Sequence, residues 1–388
     1  MKVCHVITRM IVGGAQENTL YSCRGLLEHG HDVTLVTGPS PGPEGELLAG
    51  KCPKGLTVVE IPDLVRQVSP WHDVRAYFAL KRLFSKERYD VVHTHASKAG
   101  ILGRIAARKA GVPYVVHTVH GQPFFKDQNP VLNAAFRTAE TVAARYCDRI
   151  YAVAQAMIEQ CVAAHVAPRE KYKVVYSGMD IRAFSEATPD RRLQESLGIP
   201  EGAPVIGTVA RLFPLKGHDT LIEAAPAVLR EFPEARFLFI GNGILKEKLE
   251  AKIARMGMTR NFVFTGLVPP DEVARYIPLM TVMAHLSLRE GLPRAVVQAL
   301  ANGVPVVAYP LDGTPEVVLN GKSGLLVPHE NPSEVADALL ALLHEPERAR
   351  SMGEAGRSLV LSRFDWRRMS DILEEDYREA LESRGITP

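Results

Sequence analysis

Glu290 is the carboxylate of this sequence whose surroundings best suit ligand chemistry. It comes shortly before an apolar helical pattern, in which Pro293 is expected at the first helical position, where its missing N–H costs nothing. Gly303 is expected just past the end of that helix, and residues 304–308 have the short apolar pattern of a buried parallel strand. The carboxylate is therefore predicted beside the backbone N–H groups of a helix N-terminus, a place that holds polar or anionic ligands.

Arg211 and Lys216 form a second chemical feature. They bracket a loop between a strand predicted at 204–210 and a helix predicted to begin near His218. Ligands of open α/β sheets bind at the carboxyl ends of the strands, and two cations beside a helix N-terminus suit a diphosphate. An ordinary basic loop is the alternative that these residues leave open.

His120 is the histidine best placed for a ligand, because it ends a strand predicted at 113–120, at the edge of the sheet where ligands bind. A structural histidine is the alternative. His93 and His95 share one face of another predicted strand, since side chains alternate along a strand. Because no acidic or cysteine ligand lies near them at metal-binding spacing, no metal site is predicted.

Gly13 and Gly14 separate the first predicted strand, residues 2–8, from an amphipathic helix that ends near His29. Strand, glycine turn and helix is an order that brings backbone N–H groups close to a phosphate, although a plain tight turn is the alternative. No GxGxxG pattern occurs here or after the first strand of the second half. An NAD-dependent dehydrogenase is therefore poorly supported.

Strands that alternate with helices along the whole chain must position these residues. Such alternation predicts a doubly wound parallel sheet. The segment 181–202 is polar, contains two prolines and separates two alternating sets. We therefore expect an α/β protein with two Rossmann-like domains that face a cleft, at residues 1–185 and 200–365.

Composition excludes several classes of protein. At 388 residues the chain exceeds one ordinary core, which also favours two domains. A net charge of +2 provides no field for a polyanion, so no nucleic-acid partner is predicted. The 5 cysteines are scattered and form no CxxC pair, so reduced thiols are expected.

The sequence contains no apolar run of membrane-spanning length, and Met1 and Lys2 lead directly into a predicted strand rather than a signal peptide. A cytoplasmic location is expected, or at most attachment to the inner membrane face. The helix predicted at 69–85 combines basic and aromatic residues, as helices on membrane surfaces do. Packing of that helix on the sheet is the alternative.

The Glu290 segment resembles the donor-sugar motif of family-4 retaining glycosyltransferases of the GT-B fold. That family usually has two glutamates in the motif, at the positions that Glu290 and Gln298 occupy here. The resemblance covers nearly the whole chain. Its segments, in order, are Gly13-Gly14, residues 95–104, 118–121, 177–180, 209–211, Lys216-Gly217, 241–243, 264–266, the central motif and 313–316.

The resemblance implies a retaining, metal-independent hexosyltransferase without a cofactor. A UDP- or GDP-linked sugar would be held mainly by the second domain, and a glycan, lipid-linked or small-molecule acceptor by the first. Catalytic roles would fall to His120, Glu290, Arg211 and Lys216. The implied donor-binding residues are Gly13, Gly14, Arg211, Lys216, Gly266, Leu267, Glu290, Gly291, Leu292, Pro293, Gln298, Gly313 and Thr314, and His95, Lys98 and Gln122 are implied on the acceptor side. The final helix, within 366–388, is expected to pack on the first domain.

Gln298 departs from the family pattern, because its side chain carries no charge. An amide still accepts and donates hydrogen bonds, but charge-assisted bonds are about twice as strong. We therefore expect weaker or altered nucleotide binding. Two alternatives stay open here: a sugar-nucleotide 2-epimerase with the same fold, and a non-catalytic protein that binds nucleotide sugars.

Overall fold

The computed structural model describes residues 1–40, 47–125 and 128–387. The chain divides into two compact units, Met1–Met179 together with Phe364–Pro388, and Asp180–Arg363. The first unit thus ends a few residues before the boundary predicted at 185. The residues directly after Met179 already belong to the second unit. Within that unit the Asn302 side chain donates to the carbonyl oxygens of Phe184 (2.7 Å) and Ala187 (2.8 Å).

Each unit contains one parallel sheet. The strands of the first unit are β1 (Lys2–Ile7), β2 (Asp32–Thr37), β3 (Thr57–Glu60), β4 (Val91–His95), β5 (Tyr114–Val119), β6 (Arg149–Ala152) and β7 (Tyr172–Val174). Those of the second are β8 (Val205–Val209), β9 (Arg236–Ile240), β10 (Phe262–Phe264), β11 (Val282–His285), β12 (Val306–Ala308) and β13 (Gly324–Leu326).

Helices connect the strands. In the first unit they are α1 (Gly14–Glu28), α2 (Leu48–Lys51), α3 (Pro70–Glu87), α4 (Ser97–Lys109), α5 (Pro130–Ala144) and α6 (Gln155–Ala163). The second unit contains α7 (Arg182–Ser185), α8 (Arg191–Ser196), α9 (His218–Glu231), α10 (Lys246–Arg255), α11 (Val273–Tyr276), α12 (Arg294–Ala301), α13 (Thr314–Val317), α14 (Pro332–His344) and α15 (Pro346–Arg363). The last helix, α16 (Trp366–Glu382), belongs to the first unit.

The order of the strands creates one reversal point in each sheet. The first sheet has the order β3-β2-β1-β4-β5-β6-β7, and the second has β10-β9-β8-β11-β12-β13. Each sheet therefore grows outward in both directions, from β1 and β4 in one unit and from β8 and β11 in the other. Ligands of such sheets bind at the carboxyl ends of these central strands. The prediction of two Rossmann-like α/β domains is confirmed.

Continuous burial explains the parallel strands. β1 and β2 are buried along almost their whole length, as strands covered by helices on both faces must be. β3 was missed from the sequence because it is an edge strand whose residues are mostly exposed. In α12 the prediction for Pro293 was wrong by one residue, since Pro293 precedes the first helical residue. Gly303 does lie just past the helix end.

The C-terminal helix α16 completes the core of the first unit by packing on α1. Its buried residues include Trp366 and Tyr377, at 1% and 0% exposure. The two helices approach closely at Gly25 of α1, where an added Cβ would lie 2.0 Å from the Ser370 hydroxyl oxygen. Glycine at this position therefore lets the last helix lie flat on the first.

Candidate functional site

Lys216 and Glu290 meet at the carboxyl edge of the second sheet. The Lys216 ammonium nitrogen lies 2.6 Å from Glu290 Oε1 and 3.3 Å from Ser287 Oγ. Lys216 follows β8 and Glu290 follows β11, so the reversal point of the sheet brings together two residues far apart in sequence. The ammonium has three N–H groups, and two have these partners. The third has no partner among the residues that the structure describes.

The backbone of the two loops fixes this pairing. Gly217 has φ of +73°, and a Cβ there would lie 2.0 Å from the Leu286 carbonyl oxygen. Only glycine combines that conformation with so close an approach. The Leu288 N–H donates to the Leu215 carbonyl at 2.8 Å, which ties the loop after β11 to the loop after β8. Lys216 and Glu290 are therefore held side by side before any ligand binds.

A third loop, after β12, holds Glu290 from the other side. The backbone N–H of Glu290 donates to Asp312 Oδ2 at 2.7 Å, and the N–H of Gly313 donates to the Gly291 carbonyl at 3.2 Å. The Thr314 N–H donates to Leu311 at 3.1 Å. Both backbone N–H groups thus have partners in the protein, Gly313 in the loop after β11 and Thr314 within its own loop. Contact of Gly313 and Thr314 with a donor stays a prediction.

Glu290 is ionised at neutral pH despite its position. Burial raises its pKa, but the contacts with His285 and Lys216 outweigh burial, and the pKa lies at about 2. His285 Nε2 lies 3.5 Å from Glu290 Oε1, at the outer limit of a hydrogen bond. The negative charge of Glu290 and the positive charge of Lys216 therefore coexist at the edge of the sheet.

Arg211 is the second cation at this edge, and it is exposed. Its guanidinium lies over the Phe213 ring, 5.1 Å from the centroid, and no carboxylate pairs with it among the described residues. His218 Nε2 donates to the Arg211 carbonyl oxygen at 3.2 Å, which anchors the backbone of the loop. A positive group that is oriented by a ring and lacks a counter-ion suits an anionic ligand.

The remaining predicted donor residues of the second unit lie in surrounding loops. Gly266 has φ of +72° beyond β10, and the Leu267 side chain is 74% exposed beside it. Leu292 and Pro293 are buried, and Gln298 is partly exposed on α12. Arg294, Gln298 and Asn302 form a polar stripe at the spacing of one helical turn, and Asn302 has a structural role because it donates to the Phe184 carbonyl oxygen. Contact of these residues with a donor stays a prediction.

In the first unit, His120 and His95 meet beyond the carboxyl ends of β4 and β5. Their facing nitrogens, His95 Nδ1 and His120 Nε2, are 3.0 Å apart. Gly14 begins α1, and Gly13 precedes it in extended conformation, so the helix N-terminus follows the carboxyl end of β1 as predicted. The unit thus presents a helix N-terminus at the reversal point of its own sheet, and His120 one strand further along the same edge.

The three residues assigned to the acceptor side have partners inside the first unit. His95 is completely buried. The Lys98 ammonium pairs with Asp73 and donates to the Gln67 carbonyl. The Gln122 amide donates to the Met157 carbonyl at 3.0 Å. Their contact with an acceptor stays a prediction.

Three residues of these sites were missed from the sequence: His5, His285 and Ser287. His285 and Ser287 share one face of the chain at the end of β11, and their alternation with Met283 was a usable signal. His5 lies on β1 in register with His93 of β4. Only the pairing of β1 with β4 makes it a neighbour of His95, so pattern alone did not indicate it.

Solved structures define the class of the fold. The chain superposes on Anabaena HepE in complex with UDP with a TM-score of 0.80 at 21% identity, covering 98% of this chain and 100% of that one. It superposes on sucrose-phosphate synthase from Thermosynechococcus elongatus with a TM-score of 0.82 at 19% identity, covering 99% and 100%. Two Rossmann-like units with these neighbours define a GT-B fold.

Sequence comparisons identify the family. The description "Glycosyltransferase Family 4" matches residues 12–183, and "Glycosyl transferases group 1" matches residues 189–359. The chain is 28% identical to the Escherichia coli UDP-Gal:alpha-D-GlcNAc-diphosphoundecaprenol alpha-1,3-galactosyltransferase, over 97% of this chain and 96% of that protein. It is 30% identical to the D-inositol 3-phosphate glycosyltransferase of Thermobispora bispora, over 77% and 73%. The chain belongs to the family-4 glycosyltransferases, which favours that activity over the epimerase, the non-catalytic protein and the dehydrogenase.

The ionised state of Glu290 predicts a pH-dependent stability. Because folding lowers its pKa from 4.5 to about 2, its stabilisation is complete above about pH 4.5 and disappears as the pH falls through 2. Glu290→Gln mimics the protonated acid. We expect it to lower the free energy of unfolding by about 3 kcal/mol at pH 7, a difference that shrinks toward zero near pH 2.

Chemical denaturation of both proteins from pH 7 to pH 3 measures this difference. Glu231→Gln is the matched control, since Glu231 is 47% exposed and pairs with His344 at the surface. The control should change stability by less than about 1 kcal/mol at each pH. A difference for Glu290→Gln that stays constant across this range would contradict the assigned charge state.

Proposed function

We propose that this glycosyltransferase moves a hexose, with retention of configuration and without a metal, from a UDP- or GDP-linked donor to an acceptor hydroxyl. The observation that carries the proposal is the pairing of Lys216 with Glu290 at the carboxyl edge of the second sheet, in a loop that also carries Arg211, which no carboxylate of the described residues pairs with. Two cations and one fixed carboxylate suit a ligand that contains both a diphosphate and sugar hydroxyls.

In the proposed mechanism the diphosphate is the leaving group. Arg211 and the third N–H of Lys216 stabilise the negative charge that develops on it, which is the main electrostatic demand of the reaction. The leaving phosphate takes the proton of the acceptor on the same face of the sugar, so no residue becomes a covalent nucleophile. Glu290 orients Lys216 and accepts hydrogen bonds from the donor sugar. We assign His120 to a hydrogen bond with a sugar hydroxyl, as the family resemblance implies.

The names of relatives support this choice of donor and acceptor. The Escherichia coli relative uses UDP-Gal and a lipid-linked diphosphate, and a Mycolicibacterium smegmatis mannosyltransferase, 29% identical over 93% of this chain and 94% of that protein, uses GDP-mannose. The Anabaena neighbour was solved with UDP. We therefore propose a UDP- or GDP-sugar as donor and a glycan or lipid-linked acceptor, in the synthesis of a glycolipid or polysaccharide.

Calorimetric titration with UDP, GDP, ADP and NADH tests the donor site. We expect one of the first two nucleotides to bind. Arg211→Ala should weaken that binding by about tenfold to a hundredfold, because a charge-assisted hydrogen bond is lost. Arg230→Ala, at an exposed position on α9 of the same unit, is the matched control and should leave the affinity unchanged.

Substitution of Gln298 by glutamate should strengthen nucleotide binding in the same titration, whereas Arg211→Ala weakens it. A carboxylate at this position would accept stronger hydrogen bonds from ribose hydroxyls than an amide does. We therefore expect Gln298→Glu to tighten nucleotide binding by about fivefold, and the apolar Gln298→Met to weaken it. Binding of NADH, or the absence of binding by every nucleoside diphosphate, would overturn the proposed site.

Helix α3 supports a peripheral contact with the membrane surface. Trp71, Val74 and Phe78 are 70%, 52% and 60% exposed, and helical spacing places them on one face. The exposed cations Arg82 and Lys86 lie about three and four helical turns after Trp71 and therefore on the same face. Large apolar side chains beside lysine and arginine suit an anionic lipid surface. Among the described residues, no helix combines the length and hydrophobicity of a membrane span.

Sedimentation with vesicles tests this contact. We expect binding to vesicles that contain phosphatidylglycerol and weak binding to phosphatidylcholine alone. Trp71→Ala with Phe78→Ala should reduce partitioning by at least about tenfold, because the buried aromatic area is lost. Ile244→Ala is the matched control, since Ile244 is 73% exposed in the second unit. Equal partitioning of the variant and the wild type would contradict membrane contact through α3.

A further inference from the structure

Three histidines of the first unit, His5, His95 and His120, form a continuous row of hydrogen-bonded rings, the histidine chain. His5 Nδ1 lies 2.9 Å from His95 Nε2, and His95 Nδ1 lies 3.0 Å from His120 Nε2. His5 and His95 come from the adjacent strands β1 and β4, and both are completely buried. The chain leads from the interior of the sheet to the residue that follows β5 at its ligand-binding edge.

The two inner rings are neutral at physiological pH. Burial lowers the pKa of His5 to about 3. Burial, together with the neighbouring histidines, also lowers the pKa of His95 well below its usual value. A neutral imidazole carries one N–H and one lone pair. Each nitrogen–nitrogen contact therefore needs one donor and one acceptor. The two hydrogen bonds of the histidine chain must then run in the same direction, either from His5 to His120 or from His120 to His5.

The inner end of the chain decides that direction. His5 Nε2 is buried and has no hydrogen-bond partner among the described residues. If the donors ran inward, from His120 to His5, this nitrogen would carry a buried N–H without an acceptor. If they run outward, from His5 to His120, only a lone pair of His5 Nε2 is left without a partner. Buried N–H groups without a partner are the rarer case. His5 Nδ1–H therefore donates to His95 Nε2, and His95 Nδ1–H donates to His120 Nε2.

We propose that His5 and His95 are positioning residues that fix His120 as its Nδ1–H tautomer, so that His120 serves as a hydrogen-bond donor to the sugar and not as a base. The catalytic part of this inference rests on the proposed function. Because the leaving phosphate takes the acceptor proton in that mechanism, the reaction needs no base at His120. A hydrogen-bond donor whose orientation is set before the substrate binds lowers the activation free energy, because no reorientation is needed during the reaction.

A metal ion is the competing explanation for these rings. One nitrogen each of His5, His93 and His95 lie within 4.8 Å of one another, a spacing that a metal would tolerate. However, His93 Nδ1 lies 2.5 Å from the Tyr377 hydroxyl, and His93 Nε2 lies 2.6 Å from Thr118 Oγ1. Both nitrogens of His95 are used in the chain. Hydrogen bonds thus occupy both nitrogens of His93 and both nitrogens of His95, and a metal held by the three histidines would have to displace them.

Nuclear magnetic resonance of the whole protein with ¹⁵N-labelled histidine rings tests the inference without any substrate. Loss of a resonance in His120→Gln assigns His120. We expect the wild type to show His120 protonated at Nδ1. His5→Phe keeps a buried ring but removes the first donor, and should convert His120 to a mixture of tautomers. His5→Asn places an amide N–H near the original Nδ1 and should restore the wild-type tautomer.

His93→Phe is the matched control. His93 is as buried as His5 and shares its face of the sheet, but it is not a member of the histidine chain. It should lower the melting temperature as His5→Phe does, without changing the tautomer of His120. In the transfer assay, His5→Phe should lower kcat on the order of tenfold with little change in donor affinity, and His5→Asn should recover it.

His120 protonated at Nε2 in the wild type, or an unchanged tautomer in His5→Phe, would overturn the inference. So would a stoichiometric metal ion in the purified protein. A changed tautomer with unchanged kcat would overturn the positioning role. Failure of the proposed function would instead appear as the absence of sugar transfer by the wild type, and the tautomer would still be measured.

Discussion

The ion pair between Lys216 and Glu290 is the interaction on which the second unit's edge depends. It is mostly buried, with 24% and 18% of the two side chains exposed, and each partner belongs to a different loop. Breaking a buried pair costs more than a surface pair, because the remaining charge stays desolvated. The loops after β8, β11 and β12 are therefore tied together by one charged contact and the backbone bonds around it. A ligand that binds here meets charges already in position.

Both units use the same physical solution. Their parallel sheets reverse between two central strands, and the candidate site residues follow the carboxyl ends of those strands or, for His120, of the adjacent strand β5. Six non-glycine residues with positive φ occur in the part of the chain described, and three of them lie at these edges: Ala96 after β4, Leu215 after β8 and Asp312 after β12. Such conformations persist only where the surrounding structure holds them, and they concentrate at functional sites. Backbone strain thus marks both edges, and a buried ion pair marks the edge of the second unit.

Sequence patterns predicted the elements better than they predicted the contacts between them. β2 was predicted at residues 32–37 and has these bounds, because its buried run is continuous and Gly38 follows it directly. The edge strand β3 has no such run. Lys216 and His120 were singled out because each follows a predicted strand, and Glu290 because it precedes a predicted helix N-terminus. His5 and His285 were missed because their neighbours come from strand pairing. Gly313 and Thr314 were predicted to bind the donor, and that contact stays a prediction. The hydrogen bonds of their N–H groups to Gly291 and Leu311 depend on how two loops pack, which no sequence pattern indicates.

A crystal structure of the whole chain with the nucleoside diphosphate that binds in calorimetry tests the central claim most directly. The account predicts phosphate oxygens about 3 Å from the Lys216 ammonium and from the Arg211 guanidinium, with the Lys216–Glu290 pair retained. A nucleotide bound at any other edge of the molecule would contradict it. So would a diphosphate that contacts neither cation.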